Sequence, residues 1–107
     1  MNTLEKYQFD VQHFIDKFEG IPDDEWTVGA YRRFSDENVV GRCAHGHCGC
    51  VNSEEDTEEG EALYFIFKKA FGLQSTGVND ADYIRFQQES PRDRMLAALY
   101  VLKARGW

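Results

Sequence analysis

No stretch of this 107-residue chain approaches the run of about 20 apolar residues that a membrane-spanning helix needs. The first residues alternate charged and apolar side chains from Leu4 onward and lack the apolar core of a secretory signal. Cysteine is scarce and odd in number, with three in all, so a secreted disulfide framework is not expected. Basic residues are outnumbered: 12 Lys and Arg stand against 19 Asp and Glu, a formal net charge of −7. A surface of that sign repels nucleic-acid phosphates and anionic lipid. Direct nucleic-acid binding and membrane association are therefore not expected, and a cytoplasmic location is. There is also no internal repeat and no low-complexity tract, and one domain over residues 1–107 is the expectation.

What is present suffices for one modest core. Eight Phe, five Tyr and two Trp supply apolar area. Leu4, Tyr7, Val11, Phe14, Ile15 and Phe18 recur at helical spacing and predict a helix over residues 3–18, closed by Gly20 and Pro22. His13 falls on the edge or wet face of that stripe. Trp26-Thr27-Val28 and Val39-Val40 are strand-like, and Ser35-Asp36-Glu37-Asn38 between them is turn-rich, which predicts a small hairpin. Arg32 and Arg33 within it are expected to be solvated.

Residues 52–61 form an acidic loop that becomes a helix start, with Ser53 or Thr57 as N-cap. Ala62, Leu63, Ile66, Phe67, Ala70 and Phe71 continue the helix to Gly72. Residues 73–88 read as a linker. Ser90-Pro91-Arg92-Asp93 is a helix start, and Met95, Leu96, Leu99, Tyr100 and Leu102 are its apolar stripe, ended by Gly106. The expected fold is mainly α: three principal helices, with a small β-hairpin before the cysteine cluster.

The chemistry gathers at residues 43–50, C-A-H-G-H-C-G-C, which hold every cysteine and two of the three histidines. Cys43, His45, His47, Cys48 and Cys50 are zinc-type donors. All lie on one loop, however, and no second C-x-x-C or H-x-x-x-H closes a cage. Buried packing is the ordinary role of such thiols. Cys43 or Cys48 with His47, oriented by Asn79 or Asp80, would list the parts of a thiol enzyme, but no nucleophile-elbow signature accompanies them. Gly41-Arg42 with Gly46 and Gly49 could shape a nest for an anion, although the full phosphate-loop pattern is missing. Asn79-Asp80 is ordinarily a helix-capping or turn pair.

Four motifs follow one another: W-T-x-G at residues 26–29, R-C-A-x-G-H-C-G at 42–49, V-N-D at 78–80 and S-P-R-x-R-x-L-x-A-L at 90–99. In this the chain resembles a family of short proteins of unknown function found in phage, prophage and bacterial genomes. The resemblance covers residues 10–104. It implies a setting, the cytoplasm of a bacterium or infected host, more than a mechanism. Position 45 is His where that family usually carries an aliphatic residue, which favours a packing role there over zinc ligation.

The leading functional expectation is a non-enzymatic binding module for a host protein or small ligand. Its pocket would be Trp26, Arg42, Cys43, His47, Asn79 and Asp80. No catalytic residue, metal ligand or cofactor is assigned. Structural zinc at residues 43–50, an acidic nucleic-acid mimic acting on a host defence factor, and a thiol enzyme are the alternatives.

Overall fold

The structure, a computed structural model, describes residues 9–52 and 56–107. The chain is mainly helical with one two-stranded antiparallel hairpin. Helix α1, Val11–Glu19, starts where the Asp10 carboxylate accepts from the His13 backbone N–H, and it buries Val11, Phe14, Ile15 and Phe18. The part of the first expected helix before residue 9 lies outside the described residues. His13 sits on the edge of the stripe and pairs with Glu59 rather than standing alone.

The hairpin pairs β1, Arg32–Ser35, with β2, Asn38–Arg42. Its turn is Asp36-Glu37, both with positive φ (49° and 71°), the left-handed pair that a tight hairpin needs. The Ser35–Asn38 turn was expected; the first strand was expected at residues 26–28. There only Trp26 bridges, to Arg42 and in parallel. Arg32 and Arg33, although not β-formers, pair because the turn geometry sets the register. A bulge between Arg33 and Phe34 follows from Val40 having no partner. Both arginines are exposed.

Helix α2, Ala44–His47, takes up the core of the cysteine cluster, with Cys43 as N-cap. Helix α3, Glu58–Phe71, has Thr57 as its N-cap and Gly72 at φ 71° as its C-cap, as the pattern predicts; Ser53 lies outside the described residues. The linker differs from expectation. Residues Ser75–Asn79 form helix α4, a single turn capped by no side chain, so the sequence carried no start signal for it. Helix α5, Pro91–Ala104, begins with Ser90 accepting from the Asp93 N–H.

α5 is the element against which α1, α2 and α4 all lean. Phe14, Phe18, Leu63, Ile66, Phe67, Leu99 and Leu102 are fully buried in one core. Burying each such side chain stabilises the fold by about 1.5–3 kcal/mol before chain entropy is counted. Arg92 adds a polar clamp: its guanidinium donates to the Ile21 and Glu19 carbonyls at 3.0 Å each, at the negative end of α1. No helix among the described residues is long and apolar enough to cross a membrane.

Candidate functional site

The four sequence motifs meet at one residue, Asn79: three through its side chain and the fourth through its backbone carbonyl. It is fully buried at the end of α4. Its Oδ1 accepts from the Ala44 N–H at 3.0 Å. Its Nδ2 donates to the Thr27 carbonyl at 3.0 Å and to Asp80 Oδ1 at 2.8 Å. Its own carbonyl takes a fork from Arg94, Nε at 3.1 Å and Nη2 at 2.7 Å. Arg94 is itself buried, and its Nη1 donates to the Gln88 carbonyl at 2.6 Å. Residues 27, 44, 79–80 and 94 are thus pinned together. Both amide hydrogens of Asn79 are in use, so it frames the site and offers no free donor to a ligand.

What it frames is a cavity of about 230 Å³ lined by Gly29, Ala30, Tyr31, Cys43, Thr76 and Asp80. Cys43 enters it from the start of α2, where its Sγ accepts from the Gly46 N–H at 3.4 Å. The Cys43 N–H in turn donates to the Tyr31 carbonyl at 3.3 Å. Gly46 permits this approach: a Cβ there would stand 2.1 Å from the Tyr31 carbonyl oxygen. Burial raises the Cys43 thiol above its usual range, and burial beside Cys43 and Cys50 raises Tyr31. At neutral pH the cavity therefore presents a thiol, a phenol, the Thr76 hydroxyl and a carboxylate.

The other expected pocket residues lie elsewhere. Trp26 is in the core, 5 % exposed, edge-on to Phe18 and donating to the Ile21 carbonyl at 3.3 Å. His47 packs on Trp26 at 4.7 Å and its Nε2–H donates to the Glu25 carbonyl at 3.0 Å. Burial lowers its pKa to about 4, so it is neutral under ordinary conditions. Arg42 lines a separate depression with Asp24, Glu25 and Arg33. Of the six, Cys43 and Asp80 share the cavity, Asn79 stands behind it, and Trp26, His47 and Arg42 are apart from it.

The cysteine cluster is also divided. Cys48 is buried in the hydrophobic core, and burial pushes its thiol far up. Cys50 instead meets His45 and Asp56. Its Sγ is 2.6 Å from Asp56 Oδ1 and 3.9 Å from His45 Nδ1. His45 Nδ1 is 4.0 Å from the same Oδ1, and His45 Nε2 is 2.6 Å from the hydroxyl of buried Ser75. Position 45 is therefore buried, as an aliphatic residue would be, yet its Nε2 is held by the Ser75 hydroxyl. Burial lowers the His45 pKa, while burial and the bond to Asp56 raise that of Cys50.

In this cluster the far ring nitrogen of His45 is held by the Ser75 hydroxyl and not by a carboxylate. The carboxylate contacts the thiol and the near ring nitrogen instead of orienting the far one. Among the described residues, these are the one group of three His, Cys, Asp or Glu side chains whose donor atoms fall within 4.8 Å of one another.

Tyr31, Thr76, Ser75 and Asp56 carried no signal in the sequence. Asp56 was one acid in a solvated run, and Ser75 and Thr76 sat in a linker. No family model, curated protein or solved structure matches this chain.

Proposed function

We propose that the protein is a non-enzymatic binding module for a small ligand bearing a cationic or donor-rich group. The observation that carries this is the cavity itself: four segments distant in sequence are tied through Asn79 so that Asp80 and Cys43 face one small space. The carboxylate brings a negative charge, and the hydroxyl, thiol and phenol can each accept or donate, with no fixed positive charge among them. The net charge of −7 adds a long-range attraction for cations. At about 230 Å³ the space suits a group smaller than a drug-sized ligand, whose pockets begin at about 300 Å³. Arg42 lies in another depression, so the anion nest read at Gly41-Arg42 has no part in this reading. The setting we infer is that of a phage- or prophage-type accessory protein in the bacterial cytoplasm, and it rests on the motif resemblance.

The test is a titration of isotope-labelled protein with methylguanidinium, propylammonium and, as the opposite charge, acetate. The cations should shift the amide resonances of residues 29–31, 43, 76 and 80 in a saturable way. Asp80→Asn should abolish the shifts while the spectrum stays folded. Preference for acetate, or cation shifts unchanged in Asp80→Asn, would sink the proposal.

A further inference from the structure

We infer that His45, Cys50 and Asp56 form a binding site for one zinc-class divalent cation. Imidazole, thiolate and carboxylate together are the donors that such borderline metals take. The Sγ–Nδ1 and Nδ1–Oδ1 separations are 3.9 and 4.0 Å. Donors around one tetrahedral ion stand about 3.5 Å apart, from metal–ligand bonds of about 2.0–2.3 Å. These two edges need to close by about half an ångström. The third, Sγ to Oδ1 at 2.6 Å, needs to open by about 1 Å. Asp56 can make that movement, since its side chain is 33 % exposed and anchored on a loop.

Two further observations point to an ion. The first is Gly60, a buried glycine in the first turn of α3. A Cβ at this position would stand 2.4 Å from both Asp56 Oδ1 and Cys50 Sγ, and 3.3 Å from His45 Nδ1. The three donors converge on a space that a side chain would fill. Glycine is a poorer helix former there than alanine. The second is the Ser75 hydroxyl, 2.6 Å from His45 Nε2. When Nε2–H donates to it, the lone pair of Nδ1 is left facing sulfur and carboxylate. Histidine ligands are held in the same way, through the ring nitrogen away from the metal.

Access and coordination also agree. His45 and Asp56 line a cavity of about 340 Å³ with Tyr31, Tyr64, Gln74 and Thr76. An ion could enter there and keep a fourth position for water or a ligand, as three-ligand zinc sites do. Binding would transfer the Cys50 thiol proton to solvent and form the sulfur–metal bond with no change of oxidation state.

The experiment is a Co²⁺ titration of the chelator-stripped full chain, followed by displacement with Zn²⁺. A thiolate-to-cobalt charge-transfer band should rise and saturate at one ion per chain, and Zn²⁺ should remove it. Cys50→Ser should abolish the band, and Asp56→Asn should weaken affinity by about tenfold or more. Cys48→Ser, a core thiol outside the cluster, should leave both unchanged. Circular dichroism checks the fold of each variant. Should Cys50→Ser fail to fold, the more exposed Asp56→Asn decides alone. Absence of saturable binding, a band lost in Cys48→Ser, or affinity unchanged in Asp56→Asn would overturn the site and leave a metal-free hydrogen-bonded cluster.

Discussion

The helix-packing core and the polar knot around α4 are stabilised by opposite means. In the first, α1, α3 and α5 present Phe14, Phe18, Leu63, Ile66, Phe67, Leu99 and Leu102, and many interchangeable contacts share the load. In the second, single polar groups hold distant segments: the Asn79 side-chain amide ties residues 27, 44 and 80, and the Arg94 guanidinium ties the Asn79 backbone carbonyl. Among the described residues no buried side-chain nitrogen or oxygen lacks a partner. A core of the first kind degrades gradually with lost volume. A knot of the second kind fails when one partner leaves, because the others stay buried and unpaired.

Phe67→Ala tests the first half of that contrast and has the largest expected effect. It should cost about 3–5 kcal/mol in urea unfolding. Cation binding at the cavity should persist in the fraction still folded. If binding vanished with the fold intact, the two regions would not be separable.

Asn79→Ala tests the second half. It orphans the Ala44 N–H and the Thr27 carbonyl. At about 1–3 kcal/mol for each buried orphan, the summed cost should approach that of the phenylalanine despite far less lost volume. Hydrogen exchange at the Ala44 amide should accelerate beyond the global change. A uniform acceleration would mean that Asn79 is ordinary packing.

Gly46→Ala is the narrower version. The added methyl group meets the Tyr31 backbone oxygen, so α2 and the 29–31 loop must separate, at about 1–3 kcal/mol. Amide shifts confined to residues 29–31 and 43–47 would locate the damage, whereas shifts spread through α5 would contradict it.

Ser90→Ala removes an N-cap and should cost about 1 kcal/mol, read as a small change in urea midpoint. Ile84→Ser is the smallest: the side chain is 97 % exposed, so stability should change by no more than about 0.5 kcal/mol. A larger loss would show that residue 84 is covered in solution.

Legibility followed the same divide. The α3 and α5 boundaries could be read because caps and periodic apolar residues are local signals: Thr57 and Gly72 for one, Ser90-Pro91 for the other. The hairpin turn was legible at Ser35–Asn38, but its first strand was not, since Arg32 and Arg33 pair through register and not through propensity. α4 was invisible because its one turn lacks a side-chain cap and is held by contacts to α3 and α5. The cysteine-rich segment announced chemistry without dividing its donors. Nothing local distinguishes Cys48, in the core, from Cys50, against Asp56.

By itself, the order of residues determined the helical class, the ends of the long helices, the acidic surface and the segment where sulfur and imidazole concentrate. Each of these depends on neighbours within a few positions or on simple sums. Tertiary structure alone decided that Asn79 would be a frame, that Asp80 and Cys43 would share a cavity, and that His45 would face Cys50 and Asp56. Those outcomes depend on through-space distances of a few ångströms between residues up to 52 positions apart. The packing of α4 against α3 and α5 sets such distances, and no local pattern encodes them.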